Sequence, residues 1–319
     1  MDDLKYAYAV GRTRVKELSL LTDADFERLL LANSAAERLS VLQSKGYASD
    51  APDEMLTKRH ADACAFLREV LPEPDALACL FIENDFHAVK TAIRDGMTGK
   101  DSSGLLLTPA VYDEKEIYRL TLAREFDSLP QALAAPAREA SDTLSRTGAA
   151  FLADSILDKA CAKTAIDLAK KTRSRMLIDY AEAKADLGSI KAVLRCARAG
   201  KDREAMALAA ANCGTLDAQA LLDAAGQGER ALVGWLDGTD YAEQGQALRQ
   251  SDVAFERSCD DRLTGIIERG KMTAFGVEPV AAYYLAAESE LRTVRIILAA
   301  KQAGFAPETI RERIRLSYV

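Results

Sequence analysis

The sequence predicts an all-α protein composed of three similar helical modules, and three observations support this fold class. Ala, Leu, Glu, Arg and Lys dominate the 319 residues while aromatic residues make up only 6%, a composition that favours helices over strands. The eight prolines leave long uninterrupted intervals, and no Asn-Gly turn or alternating β-branched run indicates a hairpin. One short pattern also occurs three times, which indicates an internally repeated architecture.

The repeated pattern has an acid, a base five residues later, and apolar residues at helical spacing. The copies begin at Asp85, Asp186 and Glu290, which are 101 and 104 residues apart (186 − 85 and 290 − 186). The matched apolar residues are Phe86, Val89, Ile93; Leu187, Ile190, Leu194; and Leu291, Val294, Leu298. Their spacing predicts an amphipathic helix in each copy. The acid and the base lie about 140° apart on such a helix, so each must meet another helix, solvent or a partner.

A pair of bases lies on the same flank of every copy. Like charges three or four residues apart cost an isolated helix about 0.2–0.5 kcal/mol, so we expect this flank to meet acidic groups or an open polar surface. We define the basic flank as the candidate interface, formed by Lys90, Arg94, Lys191, Arg195, Arg292 and Arg295. The alternative interpretation is a solvated helix edge whose long side chains cover the core.

Local signals predict helix ends and module boundaries. Thr22 followed by Asp25 is close to a capping box at a helix start, and Pro307 predicts the first turn of a terminal helix running toward Tyr318. Segments 96–104 and 200–203 are rich in Gly and polar residues, which is typical of turns. We therefore expect boundaries near residues 104 and 205. The three predicted modules are 1–104, 105–205 and 206–319.

Composition excludes several classes of protein. A formal net charge of −7 is unfavourable for a nucleic-acid surface. Charges recur within every long window, so we expect neither a secretory signal nor a membrane span, and the chain should be cytoplasmic and soluble by itself. Its cysteines form no C-x-x-C pair and it has two histidines, so free thiols in a reducing compartment are expected rather than zinc. The cysteines are Cys64, Cys79, Cys161, Cys196, Cys213 and Cys259.

Signatures of catalysis are weak. The sequence has no P-loop, G-x-G-x-x-G, H-E-x-x-H or G-x-S-x-G motif. Asp260 and Asp261 could bind Mg²⁺ with a diphosphate, but no second acidic cluster completes the site, which favours a charged surface. His87 stands opposite Gly188 and Arg292 in the other copies, so a half-exposed structural histidine is favoured over a general base. We therefore expect no enzyme activity and no cofactor.

Three stretches of the sequence also resemble a known family. Residues 278–298, the ending 310–319 and the opening 6–14 are similar to the C subunit of the V-type and archaeal rotary ATPases, which is the d subunit of the eukaryotic vacuolar enzyme. The likeness spans the chain, and residues 278–298 are its most specific part. The family pattern in the first two repeat helices resembles Asp-x-x-Asn-apolar-Lys, whereas Ala88 and Ser189 occupy the Asn position here.

The resemblance implies a three-module, funnel-shaped helical subunit of a rotor. Such a subunit would lie on the cytoplasmic face of the membrane ring of proton- or sodium-carrying subunits, receive the central stalk in its mouth, and transmit torque without catalysis. The implied partners are the stalk and ring subunits, with no nucleic acid and no small-molecule substrate. Two alternatives stay open: a free-standing helical-repeat adaptor, although a period of about 100 exceeds common solenoid repeats, and a Mg²⁺-dependent diphosphate enzyme using Asp260 and Asp261.

Overall fold

A computed structural model describes residues 3–49, 51–211, 214–315 and 317–319, and within these ranges it contains helices and no strand. The prediction of an all-α fold is therefore confirmed. In chain order the α-helices are α1 (Ala7–Glu17), α2 (Asp23–Leu31), α3 (Ala35–Ser44), α4 (Pro52–Val70), α5 (Ala78–Thr98), α6 (Glu114–Leu122), α7 (Gln131–Thr147), α8 (Ala150–Thr172), α9 (Arg175–Arg198), α10 (Arg203–Ala209), α11 (Ala218–Gly226), α12 (Glu229–Leu236), α13 (Ala242–Gln250), α14 (Asp252–Lys271), α15 (Glu278–Gln302) and α16 (Pro307–Arg311).

The chain divides into two compact units. One, here called the terminal unit, combines Met1–Pro74 with Glu243–Val319; the other, the central unit, is Asp75–Ala242. The first two copies of the repeated pattern lie on α5 and α9 of the central unit, and the third lies on α15 of the terminal unit. The division into three modules near residues 104 and 205, and their funnel arrangement, stay predictions.

The core of the central unit forms around the apolar stripe of the first copy. Phe86, Val89 and Ile93 of α5 are buried and belong to one cluster with Leu133 of α7 and Leu157 of α8. Fully burying a side chain of this size contributes about 1.5–3 kcal/mol. The stripe therefore fixes which face of α5 meets α6, α7 and α8, as its spacing predicts.

The second copy is buried in the same way. Leu187, Ile190 and Leu194 of α9 are at most 4% exposed, and α9 packs against α8, α10 and α11. Because α9 meets neighbours on more than one side, small residues such as Ala183 and Ala185 are also buried on it.

In the terminal unit the core joins residues from both ends of the sequence. Leu29 and Leu30 of α2 and Met55 of α4 are fully buried in one cluster with Leu291 and Val294 of the third copy. The amphipathic stripe of α15 therefore packs on helices that lie more than 200 residues earlier in the chain.

The predicted helix start at Thr22 is confirmed. The Thr22 hydroxyl accepts a hydrogen bond from the Asp25 backbone N–H at 3.3 Å, and the Asp25 carboxylate accepts one from the Thr22 N–H at 3.0 Å. This reciprocal arrangement is a capping box, which satisfies two N–H groups that the first turn leaves unbonded.

The two predicted turns differ in accuracy. The first was placed at 96–104, but α5 continues to Thr98 and ends at Gly99, whose φ of +68° is the left-handed conformation that favours glycine. The second, at 200–203, agrees with the structure because Gly200 has a φ of +64° directly after α9.

The prediction that the last helix runs from Pro307 toward Tyr318 is wrong. Helix α16 is only five residues long, and the segment after it packs on other parts of the terminal unit. The Tyr318 hydroxyl donates to Glu17 at 3.0 Å, and Lys271 Nζ donates to the Tyr318 carbonyl at 3.0 Å. Such tertiary contacts exceed the fraction of a kcal/mol that helix propensity contributes per residue. Leu316 lies outside the described residues.

In the part of the chain that the structure describes, no helix combines the length and the hydropathy that spanning a bilayer requires.

We expect Thr22→Ala to lower the free energy of unfolding by about 1 kcal/mol, because it removes half of the capping box. Chemical denaturation of the purified chain measures this loss. Thr57→Ala is the matched control, since Thr57 is exposed in the interior of α4 and should change stability by less than about 0.5 kcal/mol. Equal losses for the two variants would contradict the capping role.

Candidate interface and the buried acids of the repeat

The acid of every copy is buried in the structure. Asp85, Asp186 and Glu290, here called the repeat acids, are 0%, 2% and 5% exposed. A buried carboxylate is costly unless donors compensate it. Each repeat acid finds these donors in a connecting segment that directly precedes a short helix.

Asp85 binds the segment before α6. Its two oxygens accept from the backbone N–H groups of Val111 and Tyr112, each at 2.9 Å. The next residue, Asp113, is the N-cap of α6 and accepts from the Glu116 N–H at 3.0 Å. Burial raises the pKa of Asp85 to about 6, although the two backbone hydrogen bonds oppose this shift.

Asp186 binds the segment before α11 with a larger set of donors. It accepts from the Thr215 N–H at 2.8 Å and hydroxyl at 2.7 Å, and from the Leu216 N–H at 3.3 Å. The Tyr241 hydroxyl donates at 2.9 Å. Gly214 allows this approach, because a Cβ atom there would lie only 1.9 Å from Asp186 Oδ1.

Glu290 binds the segment before α2. It accepts from the Leu21 N–H, from the Tyr47 hydroxyl at 2.7 Å, and from Arg59 Nη2 at 3.4 Å. Leu21 immediately precedes Thr22, the N-cap of α2. Burial raises the pKa of Glu290, while the charge of Arg59 acts in the opposite direction.

The repeated pattern predicts that the acids meet other elements, but it does not identify their hydrogen-bond donors. Most of the donors are backbone amides, which every residue type except proline carries. A usable signal was nevertheless present. An N-cap residue follows each receiving segment, at Thr22, Asp113 and Asp217.

The basic flank of the first copy meets acids of the same unit. Lys90 pairs with Asp158, and Arg94 Nη2 lies 2.6 Å from Asp154 Oδ2. Because Asp154 and Asp158 are four residues apart on α8, they match the spacing of the two bases on α5. The expectation that this flank meets acidic groups holds for these two residues.

Three of the other four bases of the basic flank are exposed. Lys191 is half-buried, and Arg195 is exposed without an ion pair among the described residues. On α15, Arg292 is exposed and lies 3.8 Å from Asp260 Oδ1, while Arg295 is exposed. The structure thus brings Lys90 and Arg94 together with internal partners, and the role of the flank as an interface stays a prediction.

The carboxylates proposed as a Mg²⁺ site have cationic partners. Asp260 pairs with Arg315 and approaches Arg292, and Asp261 Oδ2 lies 3.5 Å from Arg257. Over the described ranges no group of three or more His, Cys, Asp or Glu side chains could hold a metal ion. The geometry therefore favours the charged-surface interpretation of this pair.

The remaining candidates have structural surroundings. His87 is half-buried. No disulfide joins the cysteines within the described ranges, and burial raises the pKa of the Cys79 thiol to about 12. Cys213 lies outside the described residues.

An internally repeated helical scaffold, with its repeat acids bonded to connecting segments, defines a structural subunit. The model of the ATP synthase (C/AC39) subunit family matches residues 9–313, and the chain belongs to this family. The resemblance inferred from the sequence is therefore confirmed. Family members are structural subunits of an ATPase complex rather than catalytic enzymes, in agreement with the prediction.

Individual relatives support the same assignment. The chain is 24% identical over 317 residues to the C subunit of the V-type sodium ATPase of Enterococcus hirae, covering 96% of each chain. It is 27% identical over 242 residues to the C subunit of the A-type ATP synthase of Halorubrum lacusprofundi, covering 71% of this chain and 69% of the relative. The C subunit of the Haloquadratum walsbyi A-type ATP synthase is 23% identical over 98% of this chain and 92% of its own length.

We expect Asp186→Ala to lower the free energy of unfolding by about 3 kcal/mol, because several buried donors lose their acceptor together. Chemical denaturation measures the loss. Asp167→Ala is the control on α8, because Asp167 is more than half exposed and pairs with Lys163 on its own helix; it should cost less than about 0.5 kcal/mol. A similar loss for both variants would refute the structural role of Asp186.

Asp85 should make the chain less stable as pH rises from about 4 to 6. Its folded pKa is about 6, whereas an aspartate in an unfolded chain has a pKa of about 3.9. The folded state therefore binds the proton more tightly, and its advantage is lost as pH rises through this range. Between pH about 4 and 6, we expect the free energy of unfolding of wild type to fall by up to about 3 kcal/mol more than that of Asp85→Asn. Denaturation at a series of pH values tests this, and parallel profiles for the two proteins would contradict it.

Proposed function

We propose that this chain is a non-catalytic rotor subunit of a V/A-type ATPase that links the central stalk to the membrane ring of ion-carrying subunits. In that role it transmits torque between ATP hydrolysis or synthesis and the movement of protons or sodium ions. The match to the family model over residues 9–313 carries this proposal. The proposed location is peripheral, on the cytoplasmic face of the membrane.

Stiffness supports the role in torque transmission. A yielding connector would store rotation as strain, whereas close-packed helices transmit it. The repeat acids add to this stiffness because each one bonds a long helix to the connecting segment before a short helix. A displacement of that segment would leave a buried carboxylate without donors, which costs several kcal/mol.

Co-purification from detergent-solubilised membranes tests the proposal directly. A tagged chain should recover stalk, ring and nucleotide-binding subunits in one complex. Recovery of a soluble partner without these subunits would instead support the free-standing adaptor.

Within this role, we place stalk or ring contacts on the basic flank. Arg195 and Arg295 are exposed members of this flank. Lys90 and Arg94 have internal partners, so a simple charge reversal there would also disturb the packing of α5 on α8. Exchanging Lys90 with Asp158 keeps an ion pair while moving the positive charge, and it separates the two effects.

We expect Arg195→Glu to reduce recovery of the partner subunits by about tenfold, because a rim charge of the wrong sign repels an acidic surface. Quantitative pull-down measures the change, and circular dichroism checks folding. Arg146→Glu is the matched control, since Arg146 is also an exposed arginine in the last turn of a central-unit helix. Unchanged recovery with Arg195→Glu would remove this residue from the interface.

A further inference from the structure

A thiol, an imidazole and a carboxylate form a linear arrangement in the terminal unit. Cys64 and His60 lie four residues apart on α4, and Glu288 is on α15. Cys64 Sγ is 3.5 Å from His60 Nε2, and His60 Nδ1 is 2.7 Å from Glu288 Oε1. Neither the repeat acids nor the basic flank includes any of these three residues.

The arrangement fixes the role of each ring nitrogen. The Glu288 carboxylate is an acceptor, so it holds the His60 proton on Nδ1. In the neutral imidazole, Nε2 then carries the lone pair that faces the Cys64 thiol. This is the order of nucleophile, base and orienting group that activates a cysteine. The two nitrogens point to opposite edges of the ring, so Cys64 and Glu288 cannot share one metal ion with this histidine.

Two other buried cysteines show what the arrangement adds. Cys79 and Cys196 are 7% and 3% exposed, close to the 5% of Cys64. Burial raises the pKa of both of these thiols, and neither forms a hydrogen bond with a histidine in the described part of the chain. Their reactivity therefore measures that of buried thiols of this protein without a histidine hydrogen bond.

We infer that Cys64 is a modification site for hydrogen peroxide, with His60 as its base and Glu288 as a positioning residue. The Sγ proton passes to His60 Nε2, and the thiolate attacks one peroxide oxygen. A sulfur–oxygen bond forms as the oxygen–oxygen bond breaks, and the leaving hydroxide takes the proton from His60 to give water. The sulfur loses two electrons and becomes a sulfenic acid, which thiols can reduce again.

Access at this site selects small oxidants. The His60 and Glu288 side chains are 29% and 32% exposed, so both reach solvent, whereas Cys64 is only 5% exposed. Hydrogen peroxide is small enough for such a position. Oxidation adds a polar oxygen to a thiol within the packing of α4 against α15.

The test treats the folded chain with limiting hydrogen peroxide, traps sulfenic acids with dimedone and quantifies each cysteine by mass spectrometry. We expect Cys64 to react at least about tenfold faster than Cys79 and Cys196 in the same molecules. His60→Gln should reduce the rate at Cys64 to within about twofold of the other two. Glu288→Gln should reduce it in part, and Glu288→Asp, which keeps the carboxylate, should restore more of it.

Equal rates at Cys64, Cys79 and Cys196 in wild type would overturn the inference, as would an unchanged Cys64 rate in His60→Gln. The ratio between Cys64 and the other two thiols is the quantity compared, because all three meet the same dose of peroxide in the same molecules. If His60→Gln loosens the fold, Glu288→Gln provides a second test, since it leaves the sequence of α4 unaltered. An unchanged ratio in Glu288→Gln would also refute the proposed role of His60 and Glu288.

Discussion

A buried carboxylate that accepts backbone N–H groups is the constraint on which the rest of this structure depends. Removing an ionised acid from water costs several kcal/mol, and only well-placed donors offset this cost. The repeat acids obtain their donors from segments such as 111–112 and 215–216, just before a helix begins. The apolar stripe therefore positions each long helix, and the acid on its flank positions the connecting segment that precedes a short helix.

The third copy shows how this constraint joins distant parts of the sequence. Glu290 lies on α15, yet its backbone donor is Leu21, 269 residues earlier. The same helix buries its stripe against α2 and α4. Residues from both ends of the chain thus complete one repeat, which is why a period measured along the sequence locates the helices but not the segments that pair with them.

The sequence predicted what depends on side-chain type and missed what depends on the backbone. The helical stripes and the capping box at Thr22 follow from residue patterns, and the structure agrees. The amides of Val111 and Thr215 have no such signature, because any residue in their place offers the same donor. The prediction of a helix up to Tyr318 is wrong for a related reason, because contacts of Tyr318 with distant residues outweigh local helix propensity.

The three copies differ in the donors that their buried acids receive and in the surroundings of their bases. Asp186 and Glu290 each receive a tyrosine hydroxyl in addition to backbone donors, whereas among the described residues Asp85 receives backbone donors and the pKa of its carboxyl rises to about 6. The bases diverge as well, since Lys90 is neutralised within the central unit while Arg195 is exposed. Every copy has a buried acid that accepts backbone N–H groups, so we assign the acids to the scaffold. The bases meet different surroundings from copy to copy, so they are not a shared requirement of the fold, and their role as an interface stays a prediction.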